Sequence, residues 1–214
     1  RRMLKEEQRA PAEYIVFNIY DDDHFRSLDS WRNIRVPKHE RFIEPTLPHV
    51  VVNVKDGRFE ERPNVCPNPE SVYHLCDLDW VAEAFKDDFS LKIMLAHLNA
   101  KTKNPELAYA EALKLATTHG IVTRIDTAEG LSKTADQLHH QSAYFASQRI
   151  VEKIEAFAKA QNKKVLFVLS YPPKSVTRFV TEGVRADQPF VDFLKQRGSP
   201  VVDLMQAHMD DFAL

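Results

Sequence analysis

The run Lys164–Ser170 (KVLFVLS) constrains the fold more than any other segment of the chain. Its five central residues, Val165–Leu169, leave no polar face, which is the pattern of a strand covered on both sides. The run is too short for a buried helix and far below the ~18–20 apolar residues of a membrane span. Downstream, Asp187 is placed to cap a helix, with Pro189 in its first turn and Gly198 just past its end. Pro200 then leads into a short strand, Val201-Val202-Asp203. Upstream, Leu138, Phe145, Ile150, Val151, Ile154, Phe157 and Ala158 recur at helical spacing within Ser132–Gln161. Helix, strand, helix, strand in that order predicts parallel strands joined by right-handed crossovers. Glu13–Tyr20 (EYIVFNIY), β-branched and aromatic, reads as a buried strand of the same sheet. The expected class is α/β, a mostly parallel sheet flanked by helices.

The rest of the chain adds a hairpin and a helical middle. His49–Val54 and Arg58–Arg62 flank Asp56-Gly57, a dipeptide suited to a tight turn. Asn68-Pro69 and Asn104-Pro105 each set a capping side chain before a proline. The second of these helices is expected to stop at Gly120, and Phe89–Asn99 reads as another helix. The organisation expected is one α/β domain over 1–214, a segment of a larger protein, with a helical insert at 68–131. With 43% hydrophobic and 28% charged residues the chain is of ordinary globular composition. A net charge of −2 gives no electrostatic case for nucleic acid or an anionic membrane. Cys66 and Cys76 make no disulfide framework, and with His74 between them they match no zinc spacing. Two cysteines, and no apolar signal core in the charged stretch through Arg9, favour the cytoplasm.

Ligands of open parallel sheets bind beyond the carboxyl ends of the strands. The first strand empties into Asp21-Asp22-Asp23-His24, with Arg26 following, and the later one into Ser170-Tyr171-Pro172-Pro173. Asp22, Asp23, His24, Arg26, Ser170 and Tyr171 are therefore the candidate substrate-binding residues. Arg26 has the chemistry to hold a carboxylate, that of Asp22 or of a substrate, through two parallel hydrogen bonds. An acidic run after a strand also serves as a helix cap or a solvated loop. Asp136 and His139 have the spacing of an acid-x-x-histidine pair, but on a helix that spacing only makes them neighbours, and His139-His140 reads as an exposed face. None of the five glycines belongs to a Gly-x-Ser-x-Gly elbow, a phosphate loop or a dinucleotide fingerprint. No residue is assigned as catalytic, and no metal or other cofactor is expected.

Read in order, these segments resemble the SGNH or GDSL-like hydrolases. In that family a buried strand ends in a block with Asn-Asp, whose asparagine helps to bind the oxyanion. Tyr14–Phe25 (YIVFNIYDDDHF) is similar to that strand and block, with Asp22 on the asparagine position and Asp23 on the aspartate. Val165–Ser170 and Pro200–Leu204 (PVVDL) resemble the family's last two sheet strands. The resemblance implies an incomplete flavodoxin-like SGNH fold and hydrolysis of a small ester or acyl substrate. It also implies that the Gly-Asp-Ser nucleophile block and the closing Asp-x-x-His block lie outside this chain, which alone would then be inactive. Asp22 departs from the family pattern, because an ionised carboxylate repels an oxyanion. Two other classes stay open: a non-catalytic protein-interaction module, and a metal-dependent phosphoesterase using Asp21–His24.

Overall fold

A computed structural model describes residues 11–32, 46–102, 113–121, 125 and 127–212. Asn104-Pro105 and the charged stretch through Arg9 lie outside them. The chain divides into two compact units, one of Arg1–His24 with Ser147–Leu214 and the other of Phe25–Ala146.

The first unit holds the parallel sheet. Strands β1 (Tyr14–Tyr20), β4 (Lys164–Ser170) and β5 (Val201–Asp203) lie in the order β1-β4-β5. β1 and β4 pair in parallel from Tyr14↔Lys164 to Tyr20↔Ser170. β5 joins the far side of β4 in parallel, with Phe167↔Val201 and Leu169↔Asp203. The three strands read from the sequence thus form one parallel sheet.

Alternation of side chains gives this sheet two unlike faces. Ile19, Phe167 and Leu169 point to one face and are buried. Among the described residues, four helices belong to the unit: the C-terminal part of α4 (Ala128–Ala160), α5 (Pro173–Glu182), α6 (Gln188–Arg197) and α7 (Met205–Phe212). From them Val151, Ile154, Val176, Phe190, Val191 and Leu194 complete the core. The other face departs from expectation. Tyr14 and Val16 are 60% and 64% exposed, and Tyr20 and Val202 are exposed as well. Strand β1 is therefore not a buried strand, and β4 is buried only at Phe167 and Leu169. Among the described residues β1 ladders with β4 alone, and its Tyr14, Val16 and Tyr20 side stays exposed.

The second unit carries the antiparallel hairpin β2 (His49–Asn53) and β3 (Arg58–Arg62), with Gly57 at φ 74° in its turn. Val50 and Val52 face inward with Leu28, Ala143 and Ala146. A 3-10 helix over Glu70–Cys76 is followed by α2 (Leu78–Ala84) and α3 (Phe89–Thr102). Residues 113–118 are helical, and Gly120, at φ 73°, follows them as expected. Ile93, Ala96, Ala116, Leu131, Ala135 and Leu138 form a second cluster between these helices and the N-terminal half of α4. This unit contains the segment 68–131 read as a helical insert. A single turn, α1 (Asp23–Arg26), contains the chain position His24–Phe25 at which the division falls.

Two readings need correction. Asn68 Oδ1 accepts from Ser71 N–H at 2.9 Å, but the helix that follows is 3-10, not α, and its N-cap position is Pro69. His139 is not on an exposed face: it is 6% exposed and packs against Phe25 and Phe89. Its neighbour His140 is half-buried and bonded through Nδ1 to the Asp136 carbonyl. The apolar stripe of α4 is wide enough to draw a weakly polar imidazole inward. Cys66 is buried and Cys76 exposed, both as free thiols, and His74 stacks on Trp80.

Candidate functional site at the carboxyl edge of the sheet

The in-register pairing of β1 with β4 brings Tyr20 beside Ser170, so both chains leave the sheet together. Asp21 N–H donates back to the Ser170 carbonyl at 3.2 Å and continues the ladder one step past the strands. Asp21 is half-buried, and its Oδ2 accepts from Ser175 Oγ at 2.7 Å. That bond ties the loop after β1 to the first turn of α5. Asp23 turns back on the strand, its Oδ2 accepting from Tyr20 N–H at 3.0 Å. Burial, and then the charges of Asp21, Asp22 and Asp23, raise the Tyr20 phenol above its ordinary range.

The six candidate residues do not share one environment. Asp22 is half-buried. His24 is 2% exposed, its Nδ1 at 2.7 Å from Ser147 Oγ and its ring edge-on to Phe190 at 4.7 Å. Arg26 belongs to the other unit, where its carbonyl accepts from Asp29 N–H. Ser170 Oγ donates to Asn18 Oδ1 at 3.2 Å. Tyr171 is 7% exposed and enters a buried network that sequence reasoning missed.

Arg185 organises that network. Its Nε donates to Asp187 Oδ1 at 2.8 Å and its Nη1 to Asp203 Oδ2 at 2.6 Å. Its Nη2 donates to the Tyr171 hydroxyl oxygen, and the guanidinium lies over that ring at 5.2 Å. The hydroxyl sits 3.0 Å from Asp187 Oδ2 and 3.1 Å from Asp203 Oδ1. Burial works against the Arg185 charge, but the two carboxylates outweigh it and raise its pKa. Burial, and then the Asp187 charge, push the Tyr171 phenol far upward, so it stays a donor at every ordinary pH. Burial would also raise Asp203, yet bonds from Arg185 and from Met205 N–H bring it below its usual value. Asp187 stands where a helix cap belongs, but its side chain makes no cap bond because Arg185 and Tyr171 claim it.

A cavity of about 40 Å³ opens among Asp21, Tyr171, Ser175, Arg178 and Arg185. That is room for a water molecule or two. Asp22, Asp23, His24 and Ser170 do not line it. Arg185-x-Asp187 and a strand-terminal Asp203 were in plain view in the sequence. Only the fold brings them within reach of Tyr171.

A second constellation lies in the other unit. His97 Nδ1 is 3.1 Å from Ser132 Oγ, and its Nε2 is 3.3 Å from Asp136 Oδ1. Serine, histidine and aspartate are in the right order for a nucleophile, a base and its orienter. Ser132, however, sits in the second turn of α4, where backbone N–H groups are committed to the helix and cannot cradle an oxyanion. Among the described residues, no three His, Cys, Asp or Glu side chains converge as a metal ion would require, and no helix is long and apolar enough to cross a membrane.

Compared with known proteins, the chain matches no family model, no curated protein and no solved structure.

Proposed function

We propose that this chain supplies the sheet and one wall of the site in an SGNH/GDSL-like hydrolase acting on a small ester or acyl substrate. The observation that carries the reading is the parallel register of β1 with β4, which sets Asp21 and Tyr171 side by side at the carboxyl edge. Ligands of open α/β sheets bind at such an edge. In this reading Asp22, Asp23 and Ser170 face substrate. His24 and Tyr171, both buried, hold the two strand ends. In this reading the nucleophile and the closing histidine belong to the family's Gly-Asp-Ser and terminal Asp-x-x-His blocks. The phosphoesterase alternative is weakened by the engagement of Asp21 with Ser175 and of Asp23 with the β1 backbone.

Assay of the purified 214-residue chain on short-chain aryl esters, with a serine-reactive phosphonate as probe, is expected to give neither turnover nor labelling. In a polypeptide that also carries those two blocks, Asp22→Ala or Ser170→Ala should lower kcat/KM at least tenfold, about 1.4 kcal/mol in barrier. Full activity in both variants would remove this edge from the site. Turnover by the 214-residue chain that disappears in Ser132→Ala would instead move the chemistry to the Ser132–His97–Asp136 chain.

A further inference from the structure

A cleft of the second unit lies between the hairpin, the segment from α2 into α3, and residues 114–119. Its volume is about 760 Å³, within the range of small-molecule sites. Leu28, Val50, Val52, Phe89 and Leu115 give it an apolar wall. The rim is cationic, with five Lys or Arg side chains against three carboxylates.

Those charges are unequally committed. Arg58 and Arg62 share Glu60, and Lys86 holds Glu83 at 2.5 Å. Asp88 is taken by Ser30 and by Leu91 N–H at the start of α3. Lys92 is 21% exposed and reaches Asp87 only at 3.6 Å. Lys114 has no ion pair among the described residues.

One wall group also lacks a partner. His119 lines the cleft at 7% exposure, and its Nδ1 is buried with no hydrogen bond among the described residues. A buried polar atom is nearly always paired, so an orphan at a cleft wall is a group for a ligand to satisfy. Burial, only partly opposed by Asp56, lowers the His119 pKa. The ring is therefore neutral near pH 7 and adds no charge of its own.

We propose that this cleft binds a small amphiphile with one anionic head, a carboxylate or a phosphate. The apolar body lies on Val50, Val52 and Leu115, the head goes to Lys92 and Lys114, and His119 hydrogen-bonds a polar atom of the ligand. This site is in the second unit and stands whether or not the hydrolase reading does.

The test uses the full chain, labelled with nitrogen-15, titrated with octanoate and with octyl phosphate, and with octanol and octyltrimethylammonium as neutral and cationic counterparts. Both anions are expected to shift the amides of Val50, Val52, Leu115 and His119 together with the His119 ring nitrogens. The cation should shift none of them, and octanol should bind at least about tenfold more weakly than the anions. Lys92→Met/Lys114→Met keeps the apolar stems and removes both charges, so it should bring octanoate down to the affinity of octanol. Circular dichroism identifies a variant that has lost its fold, and Lys114→Met alone, at an exposed position, then serves in its place. Anion binding undiminished in the lysine variant, shifts confined to β1 and β4, or no binding of either anion at millimolar concentration would each overturn the proposal. Octanoate binding without octyl phosphate binding would narrow the head to a carboxylate and support the site.

Discussion

Arg185 satisfies two carboxylates and a phenol oxygen with one guanidinium, in a place where each partner would be costly alone. Its side chain is 10% exposed and that of Asp187 only 5%. Breaking such a pair strands a buried charge, which typically costs about 3–5 kcal/mol. Arg185→Met is therefore expected to lose roughly that much in urea unfolding. Tyr171→Phe, which removes only the hydroxyl between Asp187 and Asp203, should lose about 1–2 kcal/mol. Equal and small losses in the two variants would mean that the network is not the clamp its geometry describes.

Two residues give stability a dependence on pH in two separate windows. The folded pKa of His119 lies below its unfolded value of about 6.5, so the unfolded chain takes the proton first. Its contribution is present above pH ~6.5 and is lost as pH falls toward the folded value. Asp203 is also depressed, from an unfolded value of about 3.9, and its contribution is lost only as pH falls below that value. Denaturant midpoints measured from pH 8 to pH 3 should fall in two stages. His119→Gln should remove the upper stage and Arg185→Met should flatten the lower one. A single stage in wild type that neither variant changes would contradict both assignments.

At the scale of elements, the punctuation of the sequence was the most legible layer. Gly198, at φ 67°, ends α6 where the Pro189–Gly198 spacing predicted, and its N–H closes on the Lys195 carbonyl. Nothing lies within 4 Å of the position a Cβ would take, so Gly198→Ala tests the backbone alone. The left-handed conformation should cost about 1–2 kcal/mol there. Asp77 caps α2 with bonds from Asp79 and Trp80 N–H at 3.0 and 3.1 Å, and Asp77→Ala should cost about 1 kcal/mol. Thermal melts of both variants check these values, and no loss in Gly198→Ala would mean that the helix end relaxes. Less legible was what a capping residue does once a stronger partner appears. Asp187 has the position of a cap, but a guanidinium two residues away takes its carboxylate. Nothing in the sequence alone signalled that. The inward turn of His139 was hidden for the same reason, because helical spacing places residues on a face without saying what meets it.

For the whole molecule, the membership of three strands in one parallel sheet was readable because apolar runs and crossover chirality leave few alternatives. The candidate site was readable only as an edge. Strand ends located Asp21 and Tyr171, but burial separated His24 from solvent and assigned Arg26 to the other unit. The open sheet face was the least expected property, since runs like Val165–Leu169 usually mean cover on both sides. It leads to a test of the chain as a whole. Tyr14, Val16, Tyr20 and Val202 make an exposed apolar strip, and Val16 lies on a strand that pairs on one side only among the described residues. Such an edge is a template for another chain, and lysine is the residue natural proteins use to block it. The 214-residue chain should therefore self-associate as concentration rises, as sedimentation velocity would record. Val16→Lys/Val202→Lys should keep it monomeric with a stability change within about 0.5 kcal/mol per site, because neither side chain is in the core. Phe167→Lys, on the buried face of the same sheet at 0% exposure, should abolish folding. Association that persists unchanged in the double lysine variant would locate the adhesive surface elsewhere and leave the strip as ordinary exposed sheet.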